Sequence, residues 1–355
     1  MQKIRTGIIG FGLSGAVFHA PIITEISCME LAAIVSSQPE KVKATYPNAH
    51  VYEKVEHLIE DKTIDLVVIS SPNEFHYPFA KMALMANKHV VVEKPFVLNS
   101  EQGEHLISLA QEKNRILSVY QNRRWDNDFL VLQECIKENR LGDIQYCEIR
   151  FERFRPQVSS AKWREQEHPG AGIVYDLGSH LIDQALCLFG WPESIYADIA
   201  AQRLNAVVED YFHIMLNYGS LRVVLHAGSL VKKTGPRFLV HGTKGSFIKY
   251  GLDPQEAILR ALHEKPENNP LVDVKNYFDN IIQVTTDVDG HELTASIDKP
   301  MGCYREYYEK LCCAILNNGD PPVTALEALD TIKIIEFAFK SHQEKRQISL
   351  RPLII

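Results

Sequence analysis

Ile4-Arg5-Thr6-Gly7-Ile8-Ile9-Gly10-Phe11-Gly12-Leu13-Ser14-Gly15 carries a short apolar run straight into a Gly-x-Gly-x-x-Gly turn that opens a helical pattern. A strand feeding such a turn is the first crossover of a dinucleotide-binding unit. Gly10 and Gly12 allow a tight turn and close backbone approach to a pyrophosphate, and Phe11, Leu13 and Ser14 complete the cradle. The helix N-terminus that follows favours the phosphate charge. An ordinary strand-to-helix turn has the same local pattern, so the surrounding chain must decide. Pro21 cannot sit inside a helix running from Ser14 to Glu25 and predicts a kink or restart. Such a break leaves Phe18 and His19 near the cofactor side, or His19 is a partly exposed, purely structural histidine, the favoured reading.

Outward from that turn, apolar strands alternate with helical stretches as far as Asn122. Strands are expected at Ile4 to Ile9, Leu31 to Val35, Leu66 to Ser70, His89 to Val92 and Ile116 to Tyr120. This alternation predicts right-handed β-α-β crossovers and a parallel sheet, hence a dinucleotide-binding domain over residues 1–122. The stretch Ser100 to Asn114 opens with a serine cap and continues at helical spacing.

Beyond Asn122 the pattern changes. Phe129 to Ile136 reads as a helix, followed by long β-rich segments at Ile144 to Phe154, Tyr211 to Tyr218, Leu221 to Leu230 and Arg237 to Tyr250. Short turns such as Gly242-Thr243-Lys244-Gly245 join them, as antiparallel neighbours require. The fold class is therefore α/β, with a second α+β domain over 123–355 built on a large, open, mainly antiparallel sheet. Thr324 to Lys340 is an amphipathic helix on Ala325, Leu329, Ile332, Ile335 and Phe339 that can pack back on the first domain.

With 355 residues, 23% of them charged and a formal net charge of -7, the chain suits two soluble domains and lacks the basic excess of nucleic-acid binders. No apolar run approaches membrane-spanning length, so no membrane partner is expected. The first strand begins almost at once, leaving no room for a signal peptide, and the seven scattered cysteines argue against a disulfide framework or zinc knuckle. A cytoplasmic location is expected.

Five further segments carry chemistry. Lys94, in Glu93-Lys94-Pro95, follows a strand's carboxyl end, where ligands of open α/β sheets bind. Its ammonium can hold a substrate oxygen and favour the alkoxide-like form; the competing reading is a surface lysine paired with Glu93. Asp176 and His180 stand four apart within Val174 to Phe189, which places both on one helix face opposite Leu177, Leu181, Ala185 and Leu188. Histidine titrates near neutrality and is the natural general base, with Asp176 orienting substrate or imidazole. A structural Asp-His pair competes, and no third ligand supports a metal. Arg123, in Asn122-Arg123-Arg124-Trp125-Asp126, and Trp163-Arg164 can close on cofactor or substrate, or simply pack, and Arg153 and Arg155 extend the basic face. At the second strand's tip, Ser36-Ser37-Gln38 offers hydroxyls and no carboxylate, which with Lys41 or Lys43 favours NADP over NAD while the lack of an arginine keeps both open.

Gly-Phe-Gly at 10 to 12, Glu93-Lys94-Pro95 and Gly172-x-x-x-Asp176-x-Gly178-x-His180-x-x-Asp183 resemble, in order and spacing, the motifs of the Gfo/Idh/MocA oxidoreductase family. The resemblance covers essentially the whole chain. It implies hydride transfer between a nicotinamide coenzyme, NADP or NAD, and a polyol, most specifically interconversion of scyllo-inositol and its 2-keto form. It implies that Lys94, Asp176 and His180 are catalytic and that Ser71, Pro72, Asn73 and His76 line the coenzyme. Glu93, Lys94 and Asn122 would join them, with Trp163 and Arg164 over the dinucleotide; Lys94, Arg123, Tyr175, Asp176 and His180 would meet substrate. A homodimer or homotetramer formed through the open sheet is expected, and so are two other activities: dehydrogenation of another sugar or inositol, or nucleotide sensing without turnover.

Overall fold

The computed structural model describes residues 3–159, 163–264, 282–288, 291–297 and 302–351. Runs of β-branched residues set the first sheet: Val67, Val68 and Ile69, and beside them Val90, Val91 and Val92, are wholly inaccessible. Strands with both faces covered in this way belong to parallel sheets. The strands are β1 (Ile4–Ile9), β2 (Met29–Val35), β3 (His50–Tyr52), β4 (Leu66–Ile69), β5 (His89–Glu93) and β6 (Leu117–Tyr120). They lie in the order β3-β2-β1-β4-β5-β6, every pair parallel. The order reverses beside β1, so the carboxyl ends of β1 and β4 form the switch-point crevice.

Helices α1 (Ala20–Glu25), α2 (Pro39–Thr45), α3 (Val55–Glu60), α4 (His76–Met85) and α5 (Ser100–Glu112) make the crossovers. The Pro21 irregularity is a restart: one π-helical turn over Gly15–His19 precedes α1, and Pro21 falls in the first turn of α1, where its missing N–H costs nothing. The cap of α5 is one residue earlier than expected, because the Asn99 side chain, not Ser100, accepts from the Gln102 N–H at 3.0 Å.

The later elements are α6 (Asn127–Lys137), β7 (Ile144–Glu152), α7 (Ser179–Phe189), β8 (Ser194–Ala200), β9 (Tyr211–Tyr218), β10 (Leu221–Gly228), β11 (Phe238–Gly242), β12 (Gly245–Lys249) and α8 (Gln255–Glu264). They are followed by β13 (Ile282–Val288), β14 (His291–Ile297), α9 (Arg305–Asn317), α10 (Ala325–Glu344) and β15 (Ile348–Ser349). The nine strands order as β14-β13-β12-β11-β7-β10-β9-β8-β15, and only the β7–β10 pair is parallel. In β9, Phe212, Ile214 and Leu216 are buried while Tyr211, His213 and Met215 alternate with them half-exposed. Val223 and Leu225 of β10, Phe238 and Val240 of β11 and Phe247 of β12 are likewise fully buried.

The chain divides into two compact units. Unit 1 takes the described residues of 1–122, 256–264 and 303–332; unit 2 takes those of 123–255, 282–302 and 333–351. Two segments expected with the second domain thus belong to the first. The reason is visible in unit 1, where the Ser118 hydroxyl of β6 donates to the Val323 carbonyl and shares a hydrogen bond with Tyr307 of α9, each at 2.7 Å. α10 is opened by a reciprocal capping box: Thr324 N donates to Glu327, and Glu327 N donates to the Thr324 hydroxyl.

Cys28 and Cys312, both in unit 1, are joined by a disulfide with Cα atoms 6.8 Å apart. This corrects the reading of the cysteines as unbridged; two cysteines 284 residues apart share no local spacing that could have announced it. Cys135 and Cys147 are buried thiols. Among the described residues no helix is long and apolar enough to cross a membrane.

Candidate active site

The Gly10 turn sits at the carboxyl end of β1, held to β4 by Ser70, whose hydroxyl donates to the carbonyls of Gly10 at 2.8 Å and Ile9 at 3.1 Å. Gly10 has φ +97°, and a Cβ there would stand 2.9 Å from the Ser70 carbonyl oxygen; at Gly15 it would stand 2.2 Å from that of Gly10. Both positions therefore require glycine for the turn itself. Around a Cβ at Gly12 nothing lies within 4 Å, so that residue fronts open space at a helix start. The arrangement fits a pyrophosphate brought against backbone N–H groups.

Beneath this turn lies a buried polar chain that sequence reasoning missed. The Ser14 hydroxyl donates to the Glu93 carboxylate, which also accepts from the Lys94 N–H at 3.0 Å and faces His19 Nε2 at 2.9 Å. His19 Nδ1 in turn meets the Tyr308 hydroxyl of α9 at 2.6 Å. His19 is 0% exposed, not partly exposed as expected, because its two ring nitrogens bridge β5 and α9. Burial alone would raise the Glu93 pKa, but the hydrogen bonds and charges of His19, Ser14 and Lys94 outweigh it and hold the carboxyl at about 2. Glu93 thus ties the coenzyme turn to the backbone of Lys94, whose side chain is half-buried. Tyr308 gave no local signal, since it lies 289 residues from His19.

The β4 end is fastened to the same turn. His76 is buried, with Nδ1 2.7 Å from the Pro95 carbonyl and Nε2 3.1 Å from that of Ser71; burial foremost pulls its pKa down. Asn73 is buried, while Ser71 and Pro72 stay at the rim. At the β2 tip Ser36 is buried and its hydroxyl accepts from Gln38 N at 3.0 Å, leaving Ser37 exposed. Lys43 donates to the carbonyls of Pro47 and Ala49 at 3.1 and 2.7 Å, so its ammonium closes its own loop, while Lys41 is exposed. Phe11 packs edge-on to Tyr46, Leu13 is exposed, and Asn122 is buried at the end of unit 1.

Unit 2 gathers the remaining candidates. A π-helical turn over Val174–Gly178 leads into α7, so Asp176 lies in the wide turn and His180 in the first turn of the α-helix. Such insertions recur at functional sites and re-aim the side chains they carry. Asp176 faces two guanidiniums, Arg153 at 3.6 Å and Arg164 at 3.4 Å. Arg164 also covers the Trp163 ring at 4.8 Å. His180 is 6% exposed.

Further along the polar face of α7 the side chains are already engaged. Asp183 is clasped by the Arg124 fork at 2.9 and 2.7 Å, and buried Gln184 donates to the Arg123 carbonyl and accepts from Arg237. Arg123 is packed inward, with one nitrogen 3.1 Å from Asp126 and its guanidinium 4.9 Å from the Phe151 ring centre. These bonds anchor the helix that presents His180. Tyr175 stacks on Phe339, and burial, followed by Glu336 and Glu209, raises its pKa to about 12.

Glu209 is the second residue that the sequence hid. Its carboxylate occupies the space beside Gly172, where a Cβ would lie 2.1 Å from Oε1, and it accepts from Val174 N at 3.4 Å. Its own carbonyl accepts from Ile173 N at 3.0 Å. Burial foremost lifts its pKa to about 7. Only folding brings it to the segment leading into Asp176.

Residues 4–121 match the family model described as the oxidoreductase family, NAD-binding Rossmann fold, and residues 133–350 match its companion, the oxidoreductase family C-terminal alpha/beta domain. The chain belongs to the Gfo/Idh/MocA oxidoreductase family and is an NAD(P)-dependent oxidoreductase. It is 43% identical to the scyllo-inositol 2-dehydrogenase (NADP(+)) IolW of Bacillus subtilis strain 168, over 99% of this chain and 97% of that protein. It is also 43% identical to the oxidoreductase YdgJ of Escherichia coli K12, an uncharacterized protein, over 98% of this chain and 99% of that one. A solved yvaA structure from Bacillus subtilis superimposes with a TM-score of 0.92 at 42% identity, covering 99% of each chain.

Proposed function

We propose that the protein interconverts scyllo-inositol and its 2-keto form, with NADP preferred over NAD. The observation that carries the substrate is the full-length similarity, at 43% identity, to a scyllo-inositol 2-dehydrogenase. The coenzyme preference rests on a β2 tip that offers Ser37 and Lys41 and no carboxylate to repel a 2'-phosphate.

When bound, the nicotinamide supplies the acceptor or donor of hydride. The Gly10–Ser14 turn takes the pyrophosphate, with Ser71, Pro72 and Asn73 alongside, and Glu93 fixes Ser14 relative to Lys94. Trp163 and Arg164 cover the dinucleotide. Lys94 holds the reacting oxygen and favours its alkoxide-like form. His180 takes the hydroxyl proton on oxidation and returns it on reduction. Asp176, restrained by Arg153 and Arg164, and Tyr175 orient the polyol.

Arg123 serves by fixing α7 through Gln184, a positioning role in place of direct contact with substrate. Two or four copies assemble through the face of the large sheet bearing Tyr211, His213 and Met215, whose half-exposed side chains suit a second copy. The test is the initial rate of nicotinamide absorbance change with scyllo-inositol and with myo-inositol, each with NADP and with NAD. Turnover selective for scyllo-inositol with NADP supports the reading, and turnover confined to another polyol overturns the substrate.

A further inference from the structure

The amino ends of the parallel strands in unit 1 frame a recess of about 450 Å³, at the end of β1 opposite the Gly10 turn. Lys3 and Ile4 enter β1 beside it, Ile64 and Asp65 precede β4, Lys88 and His89 begin β5, and Arg115 precedes β6. Lys62 completes the polar wall, and the apolar side chains of Ile315 and Leu316 from α9 close one side. Lys3, Lys62, Lys88 and Arg115 are four cationic groups around a single carboxylate, on a chain whose formal net charge is -7.

That carboxylate is already engaged: Asp65 Oδ2 accepts from the Arg5 N–H at 2.9 Å. Lys88 is 6% exposed, its ammonium donates to the carbonyls of Asp61 and Ile64 at 2.7 Å each, and the nearby Asp61 and Asp65 carboxylates offset part of its charge. The Arg115 Nε is buried with no hydrogen-bond partner, and among the described residues neither Arg115, Lys3 nor Lys62 makes an ion pair. His89 adds a donor: its Nδ1 accepts from Ile116 N at 3.1 Å, which places the proton of the neutral ring on Nε2. Buried guanidinium nitrogens are normally satisfied, and an excess of cations over carboxylates in a concave site raises the local concentration of anions.

We propose that this recess binds the dianion of a phosphate monoester. The guanidinium fork matches a phosphate, and several ammonium groups beside it favour more than one negative charge. The volume falls within the range of small-molecule sites and exceeds what a bare phosphate fills, leaving room for the organic part against Ile315 and Leu316. Nothing in the proposed hydride transfer uses these residues, so the site is independent of that function.

The experiment is isothermal titration of the full chain, saturated with NADP so that the Gly10 cradle is filled, with glucose 6-phosphate and separately with inorganic phosphate. The proposal predicts one saturable site, tighter for the ester than for the free ion, and weakening as sodium chloride is added. Arg115→Gln should weaken binding by about tenfold or more, the loss of a charge-assisted hydrogen bond. The exposed pair Lys3→Ala and Lys62→Ala, which leaves the fold undisturbed, should weaken it about threefold to tenfold with turnover unchanged. Absence of saturable heat up to about 10 mM for both ligands, or equal binding by the Lys3/Lys62 variant, overturns the proposal. Binding of free phosphate as tight as that of the ester overturns the monoester assignment.

Discussion

The carboxylates at the two ends of the proposed chemistry are held in opposite ways. In unit 1, Glu93 is buried yet kept ionised, its pKa about 2, because Ser14, His19 and the Lys94 backbone all point donors at it. In unit 2, half-buried Glu209 accepts only from backbone N–H groups, its own and that of Val174 at 3.4 Å, with the Asp210 charge nearby, and its pKa rises to about 7. Burial raises both; the side-chain donors and cations around Glu93 outweigh it, whereas the two backbone donors of Glu209, beside the Asp210 charge, do not. The coenzyme side thus carries a fixed charge through the neutral range, while the segment leading to Asp176 carries one that changes within it.

The largest effect that sharpens this contrast is Lys94→Ala, expected to lower kcat by about 10²- to 10³-fold by removing the cation at the developing negative oxygen. NADP affinity, measured by fluorescence titration, should change little. A comparable loss in both quantities would place Lys94 in coenzyme binding and blur the distinction between the two units.

His19→Ala is expected to destabilise unit 1 by roughly 3–5 kcal/mol in urea denaturation, since it removes one partner of a buried charged hydrogen bond. His19→Gln, which keeps a donor, should recover part of that loss. The acid sensitivity has a definite sign. A folded pKa of about 2 below the ordinary 4.5 means that the stability from Glu93 is fully present above pH 4.5 and is lost as pH falls towards 2.

Glu209 has the reverse sign. Its folded pKa of about 7 means that the native state holds a proton which the unfolded chain releases above 4.5. Its contribution to stability therefore declines between pH 4.5 and 7, by up to about 1.4 kcal/mol per pH unit, and is level above 7. Glu209→Gln should flatten this interval in urea midpoints measured from pH 4.5 to 8, whereas an unchanged slope would show that the carboxyl is not buried as described. The smallest effect concerns coenzyme choice. Lys41→Ala is expected to weaken NADP binding by roughly fivefold and leave NAD unaffected, while Lys43→Ala, which removes two loop hydrogen bonds, costs about 1 kcal/mol of stability without altering the ratio.

The sequence was most legible where function imposes a local pattern. The Gly10 turn, the Pro21 restart, the Gly242–Gly245 hairpin and the α10 periodicity each combine a backbone requirement with the residue that meets it. β3 carries no legible period because it is three polar-flanked residues at a sheet edge, whereas β8 does alternate, with Ile195, Ala197 and Ile199 buried between exposed Tyr196 and Asp198, and its signal was there to be read. Helical spacing gives the direction of Asp183 and Gln184 but not what stands opposite; Arg124 and Arg237 cover them. The partners of His19, Glu209 and Cys28 lie far along the chain, and only the packed structure brings them together. The polar stretch from Glu264 to Asn269 reads from its composition as a surface loop, and beyond Glu264 it falls outside the described residues.

The most direct test of the central claim, that unit 2 carries proton transfer while unit 1 holds the coenzyme, is kcat of His180→Ala measured alongside its NADP dissociation constant. The account predicts a fall in kcat of about 10²- to 10⁴-fold with the dissociation constant nearly unchanged. Turnover at the wild-type rate would contradict it and remove His180 from the base role.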